Sequence, residues 1–236
     1  MNEKGIFHLQ STVTVTNISE DSWTALVFYF VPNMFTQKSP PQLNQPSDIH
    51  FNKVAINGES ANFKLQKDTL TVPLKKELAE NKEIKVMFDY HFTLPENGLR
   101  FTKSQQNYYL GQFYPMVATY RNHEWNKEPY RFRGETYHTA FSDFKVAYDL
   151  PKEYTMVSTS ENDTFPSKNK GIFEVKQVKE VFIALLKKPF IFEQKEENVT
   201  IRVIGLEQND QLYKKIRKEA ASAFTFFSKN DRPISV

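Results

Sequence analysis

The sequence predicts a mostly β protein, a two-sheet sandwich or saddle-like β domain with one C-terminal amphipathic helix. Apolar and polar residues alternate with a period of two along most of the chain before residue 206, as in strands with one buried face. Asn57-Gly58 stands between two such runs, and this dipeptide is a strong hairpin signal. Beyond residue 209 the apolar period changes to about 3.6, which is typical of a helix.

Two of the predicted strands show the clearest alternation of apolar and polar residues. Residues 7–15 alternate between an apolar and a polar row, and residues 84–94 do so over a longer stretch. Residues 24–31 form a largely continuous apolar run, which predicts a strand buried on both faces. Residues 33–48 contain three prolines and many amides, which predicts a long loop. Further short strands are predicted at 51–56, 62–65, 70–72, 144–150, 154–158, 172–175, 181–186, 190–193 and 199–204.

The C-terminal part predicts one helix over residues 209–228. Asn209 and Asp210 are good N-cap residues. The apolar positions that follow are Leu212, Ile216, Ala220, Ala223 and Phe227. Residues 234–236 then resemble the start of another strand. The sequence therefore divides into a β domain at 1–206 and a second part at 207–236.

The face formed by Leu212, Ile216, Ala223 and Phe227 carries a further expectation. If the chain is a fragment, this face is under-covered, and each large apolar side chain left in water forgoes about 1.5–3 kcal/mol. We then expect the helix to fold back on the sheets or to pair with a second copy.

Composition excludes several function classes. The 31 basic and 28 acidic residues are interspersed, which is not the pattern of a nucleic-acid or membrane-surface protein. The seven glycines form no phosphate-binding loop, and the absence of cysteine excludes thiol chemistry. The longest apolar run is too short to span a bilayer, and no signal peptide is visible. A cytoplasmic location and an extracellular or cell-surface one after removal of a targeting segment both stay open.

His123-Glu124 matches the first half of H-E-x-x-H, the zinc-peptidase helix. In that motif two histidines at i and i+4 share one helix face and bind one zinc ion. Here the fifth position is Lys127, and Pro129 disfavours helical geometry at Glu128. The other four histidines offer no pair at i,i+2 or i,i+4. We therefore predict no metal site and no catalytic residue in this chain.

A resemblance rests on motifs in the middle of the chain. The matching residues are, in order, Tyr114-Pro115, Val117-Ala118, Trp125-Asn126, Pro129-Tyr130, Gly134-Glu135, Phe141, Asp143-Phe144, Val146, Leu150-Pro151 and Tyr154. Their order resembles the N-terminal β domain of the aminopeptidase N family, the M1 gluzincin metallopeptidases, in its bacterial branch. The match is strongest over residues 110–160 and weaker but collinear elsewhere.

The resemblance implies that this chain is the accessory domain of a zinc aminopeptidase. The chain has no H-E-x-x-H, no following glutamate ligand and no G-x-M-E-N stretch, all of which lie in the family's catalytic domain. The implied zinc therefore belongs to a catalytic domain beyond this chain, and residues 207–236 are its truncated start. The implied partners are that domain and a peptide substrate.

The resemblance also implies two substrate-binding residues. In the family, a Q-x-E or Q-x-Q stretch places an acid or amide where it accepts a hydrogen bond from the substrate's free α-amine. Gln112 matches the first position of this stretch, and Tyr114 occupies the place of the acid or amide. A phenol is neutral near pH 7, so we expect weaker selection for a free amino terminus than in the family. Alternatively, Tyr114 is a structural residue that packs beside Pro115.

Other interpretations of the same residues stay open. Trp125, Tyr130 and Phe132 serve either as packing residues or as the lining of a cleft. The carboxylates of Glu124, Glu128, Glu135 and Asp143 are either solvated charges and turn caps or a pair for glycoside hydrolysis. The chain as a whole is alternatively a stand-alone extracellular β-sandwich that binds carbohydrate or protein.

Overall fold

Strands dominate the fold, and one helix ends it. The computed structural model describes residues 1–37, 43–134, 137–163, 165, 167–196 and 199–230. Glu135 and the predicted strand at 234–236 lie outside the described residues. The chain divides into two compact units, Met1–Leu185 and a second that begins at Leu186. The predicted division at 206/207 stays a prediction.

The strands, in chain order, are β1 (Phe7–Thr16), β2 (Trp23–Tyr29), β3 (Ile49–Ile56), β4 (Glu59–Ser60), β5 (Lys64–Gln66), β6 (Thr69–Leu78), β7 (Glu83–Phe92), β8 (Phe101–Ser104), β9 (Asn107–Leu110), β10 (Met116–Val117), β11 (Thr119–Arg121), β12 (Glu124–Asn126), β13 (Ser142–Asp149), β14 (Tyr154–Ser158), β15 (Lys170–Val178), β16 (Ile183–Lys187), β17 (Phe190–Glu196) and β18 (Val199–Gly205). Among the described residues there is one α-helix, α1 (Asp210–Asn230). The predicted mostly β fold with one C-terminal helix is confirmed.

Two four-stranded sheets build the core of the first unit. Their strand orders are β1-β7-β3-β4 and β10-β2-β6-β5. Phe28 of the second sheet meets Phe88 of the first edge to face, with ring centres 5.1 Å apart. The ring of Phe30, which directly follows β2, lies 5.3 Å from that of Tyr90. These aromatic contacts between the facing sheets make the sandwich that the alternating pattern predicts.

The remaining strands of the first unit form one further four-stranded sheet, β14-β16-β9-β8, and two pairs, β11-β12 and β13-β15. The hairpin predicted at Asn57-Gly58 is confirmed. Ile56 pairs with Glu59, and the two turn residues have φ of 48° and 91°. Positive φ at both central residues of a two-residue hairpin turn is what the Asn-Gly pair favours.

Two expectations need correction. The strand predicted over 24–31 ends at Tyr29, and a 3-10 helix over Val31–Phe35 occupies the start of the predicted loop. Pro32 lies at the beginning of this helix, where its missing N–H is not needed. The strands β8 to β12 were not predicted. They are two to four residues long, too short to display a period.

The second unit contains the hairpin β17-β18 and α1. The side chain of Asn209 accepts a hydrogen bond from the Leu212 N–H at 3.0 Å, which confirms the predicted N-cap. No helix in the described ranges is both long and apolar enough to cross a membrane.

Tyr90 makes the core sensitive to alkaline pH. Its phenol is fully buried and donates a hydrogen bond of 2.7 Å to the Phe113 carbonyl, and burial raises its pKa well above the usual value. When the pKa of a tyrosine is higher in the folded state than in the unfolded state, its contribution to stability depends on pH. The contribution is fully present below the ordinary tyrosine pKa of about 10 and is lost as the pH rises above that value.

We therefore expect Tyr90→Phe to lower the free energy of unfolding by about 1 kcal/mol at neutral pH. The variant should also lose less stability than the wild type between about pH 10 and pH 12, because it has one buried phenol fewer to ionise. Urea unfolding followed by circular dichroism at several pH values measures both effects. The same slope of stability against pH in the two proteins would contradict the role given to Tyr90.

Candidate functional site

The two predicted substrate-binding residues lie in the segment between β9 and β10. Gln112 is 4% exposed and has a φ of 57°, in the left-handed region that a non-glycine residue rarely adopts. Its side-chain amide donates a hydrogen bond to the Tyr137 hydroxyl. The Tyr137 hydroxyl in turn donates to Glu180 Oε2 at 2.9 Å. Gln112 is thus the buried end of a polar chain that leads to a carboxylate.

Tyr114 contacts the residue that follows Glu180 in the chain. Its hydroxyl accepts a hydrogen bond from the Val181 N–H at 2.8 Å. Its ring lies edge-on to Phe144, with centres 5.4 Å apart. Burial raises the pKa of Tyr114, the Val181 N–H opposes this, and the charge of Glu180 adds to it. The phenol is therefore neutral at physiological pH, as the sequence predicts.

Glu180 lies beside these residues, and it was not predicted from the sequence. The structure brings Gln112 and Tyr114 together around Glu180 and Val181, just before β16. Glu180 is half-buried and is the carboxylate nearest in the chain to Val181, whose N–H the Tyr114 hydroxyl accepts. No local motif marks Glu180, because it is distant in sequence from the other residues and is brought to them only by the fold.

The pair His123-Glu124 lies at a hairpin rather than on a helix, as predicted. His123 has a φ of 63° in the turn between β11 and β12, and Glu124 begins β12. His123 Nδ1 lies 2.9 Å from a carboxylate oxygen of Asp21. Asp21 also accepts a hydrogen bond of 2.9 Å from Tyr120, and these two contacts lower its pKa.

The residue that breaks the zinc motif, Lys127, has a structural partner. Its ammonium forms an ion pair with Asp68, and both side chains are almost completely buried. The charge also lies 4.8 Å from the centre of the Tyr29 ring. Asp68 accepts a further hydrogen bond of 2.8 Å from the Tyr130 N–H. These contacts fix the Trp-Asn to Pro-Tyr segment against the turn between β5 and β6.

The aromatic residues of that segment are packed. Trp125 lies 4.7 Å from the Trp23 ring centre. Tyr130 and Phe132 are 5.2 Å apart, and both contact the Phe35 ring. All three are partly buried against the core. This arrangement agrees with the packing interpretation.

The candidate carboxylates have different surroundings. Asp143 accepts a hydrogen bond of 2.9 Å from the Gln177 N–H beside the β-bulge in β13, which is a local backbone role. Glu124 and Glu128 are exposed. Glu128 borders a small concavity of about 200 Å³ that Arg121 and His138 also line. Over the residues that the structure describes, no group of three or more His, Asp or Glu side chains is arranged around a common point as metal ligands.

Helix α1 contacts the rest of the second unit through Tyr213, whose ring lies 4.7 Å from that of Phe192. Leu212, Ile216 and Phe227 are between 42% and 48% exposed. The buried residues of α1 are instead Tyr213 and Ala221, so the β17-β18 hairpin does not meet the expectation that this face folds back on the sheets. The face of Leu212, Ile216 and Phe227 stays partly exposed. Its pairing with a second copy stays a prediction, which sedimentation velocity of the isolated chain would check.

Comparison with known proteins identifies the fold. No family model and no curated sequence matches this chain significantly. Among solved structures, 102 chains match. The M1 zinc metallopeptidase from Deinococcus radiodurans superposes with a TM-score of 0.53 at 13% sequence identity, over 96% of this chain and 50% of that one. A variant of that enzyme bound to a Tyr-Ser-Ala substrate gives a TM-score of 0.53 at 14% identity, with the same coverage.

An aminopeptidase N family protein from Idiomarina loihiensis gives a TM-score of 0.52 at 12% identity, over 95% of this chain and 35% of that one. This chain thus shares the fold of part of the M1 zinc aminopeptidases and spans half or less of their length. At such identities the likeness concerns the fold alone.

Proposed function

We propose that this chain is the accessory N-terminal domain of an M1-type zinc aminopeptidase. In this role it shapes one side of the substrate cleft, holds the amino end of the peptide and has no catalytic zinc of its own. The observation that carries the proposal is the fold, which M1 zinc aminopeptidases share over 96% of this chain. The ordered motifs from Tyr114-Pro115 to Tyr154 support the same assignment.

The site around Glu180 supports the second part of the proposal. A substrate's free α-amine is cationic and is held best by a carboxylate and neutral hydrogen-bond acceptors. Glu180 offers the carboxylate, and the Tyr114 hydroxyl offers an acceptor beside it. Gln112 and Tyr137 orient the carboxylate through their hydrogen-bond chain. In this arrangement Glu180, from another part of the chain, supplies the negative charge that Tyr114 cannot supply.

The partner in this proposal is a zinc-binding catalytic domain in the same polypeptide. The exposed apolar face of α1 supports such a partner, because covering large apolar side chains that are 42–48% exposed gains about half of the 1.5–3 kcal/mol that complete burial of each is worth. The zinc and the hydrolytic chemistry belong to that domain.

The coding sequence that follows residue 236 provides the first test. A reading frame that continues into H-E-x-x-H supports the proposal, whereas a natural stop favours a stand-alone binding domain. The second test uses the whole protein on pairs of aminoacyl substrates that differ only in an N-acetyl group. Zinc-dependent hydrolysis of the unblocked member alone supports the proposal. Equal hydrolysis of both members, or zinc-independent activity, would overturn it.

A further inference from the structure

Three of the five histidines meet on one sheet face and form what we call the histidine row: His8, His91 and His50. In the register of the first sheet, His8 of β1 and His50 of β3 both pair with His91 of β7. The ring centres of His8 and His91 are 5.8 Å apart, and those of His50 and His91 are 5.2 Å apart. Three imidazoles thus stand side by side across three adjacent strands.

The histidine row faces solvent. On these strands the alternate residues, such as Phe7, Tyr90 and Phe92, are buried in the core, so the row lies on the opposite face. His8 and His50 are exposed and His91 is half-buried. Within the described residues no hydrogen bond holds any of the three rings, so the side chains are free to change rotamer.

A fixed negative charge lies next to the row. Asp89 precedes His91 by two residues on the same face of β7. Gln10 and Asn52, from the two neighbouring strands, donate hydrogen bonds of 2.8 and 2.6 Å to its two oxygens. The carboxylate is thus held in place beside the imidazoles, where its negative charge favours a cation.

The register, rather than the present orientation of the rings, brings the three side chains within reach of one ion. Directly opposed residues on adjacent antiparallel strands have Cβ atoms about 4.5–5.5 Å apart. His91 is opposed in this way by His50 on one side and by His8 on the other. Imidazole nitrogen is a preferred ligand of Zn²⁺, Cu²⁺ and Ni²⁺.

We propose that the histidine row binds a divalent transition-metal ion through His50 and His91, with His8 as a third ligand. Binding requires side-chain rotation that turns the ring nitrogens toward one point, since the rings do not converge in their present rotamers. Such rotation is inexpensive for His8 and His50 because both are exposed. Water completes the coordination sphere.

The test titrates Zn²⁺ into the chain, made without a histidine tag, by isothermal titration calorimetry. We expect one ion per chain, with affinity that falls as pH is lowered, because imidazole binds metal only in its neutral form. His50→Ala and His91→Gln should each weaken binding by about tenfold or more, since even outer-shell substitutions typically cost 10- to 100-fold. Cu²⁺ added in place of Zn²⁺ should show nitrogen hyperfine coupling by electron paramagnetic resonance.

His123→Ala and His138→Ala are matched controls, because they remove exposed histidines outside the row. Both should bind Zn²⁺ like the wild type, and circular dichroism confirms that each variant is folded. No binding by the wild type would overturn the proposal. Binding that survives the double variant His50→Ala/His91→Gln, or that is lost in a control, would also overturn it.

Discussion

Replacing Asp68 with alanine is expected to lower the free energy of unfolding by about 3–5 kcal/mol, because it leaves the ammonium of Lys127 buried without its partner. The side chains of Lys127 and Asp68 are only 7% and 4% exposed, so water cannot replace the lost carboxylate. The same substitution removes the acceptor of the Tyr130 N–H. Urea unfolding of the wild type and the variant measures the loss.

The pH dependence of this loss has a definite sign. Burial lowers the pKa of Lys127, and the hydrogen bond and charge of Asp68 oppose the shift. Without Asp68 the folded-state pKa falls further below the unfolded-state value of about 10.4. The unfolded variant then binds more protons than the folded one, so its stability rises with pH. The deficit of Asp68→Ala should therefore shrink as pH rises toward 10.

A surface ion pair provides the matched control. Lys75 and Glu59 are 2.8 Å apart, but both side chains are 75% exposed. Glu59→Ala should leave stability almost unchanged, because water screens an exposed ion pair. The double variant Asp68→Asn/Lys127→Met should recover part of the loss, because no isolated charge remains buried. Equal effects of Asp68→Ala and Glu59→Ala would contradict the role given to the buried pair.

Much of the fold could be predicted from the alternation of apolar and polar residues, because a strand with one buried face shows this pattern in its own sequence. Buried and more exposed residues alternate along the whole length of β7. The Asn57-Gly58 turn sets the register of the hairpin between β3 and β4. The strands β10 to β12 could not be predicted in this way. They have only two or three residues each, and pairing with neighbours, rather than their own pattern, makes them strands.

Only part of the candidate site could be predicted from the sequence. Gln112 and Tyr114 could be named from a resemblance to a local motif, but Glu180 approaches them only in the folded chain. The grouping of the histidines could not be predicted from the sequence either. No two of them have metal-ligand spacing along the sequence, yet His8, His50 and His91 meet across three strands. Spacing rules find ligands within one element, whereas a sheet places residues together that are distant in sequence.

In the whole protein, Glu180→Gln is expected to lower kcat/KM for unblocked aminoacyl substrates by about ten- to a hundredfold, because hydrogen bonds to charged groups contribute about 1.5–3 kcal/mol. This prediction rests on the proposed function. The amide of glutamine still accepts the bond from Tyr137, so the fold should be preserved. N-acetylated substrates are the control, because they have no ammonium group and should be unaffected by the change.

Tyr114 separates amine recognition from packing at the same site. Tyr114→Phe should raise KM for unblocked substrates less than Glu180→Gln does, because only a neutral acceptor is lost. Tyr114→Glu should lower KM, since two carboxylates would then face the ammonium. If neither Tyr114 variant changes any substrate, the hydroxyl serves only to accept the Val181 N–H. If Glu180→Gln also leaves every substrate unchanged while the enzyme is an aminopeptidase, the amine is held elsewhere although the proposed function stands.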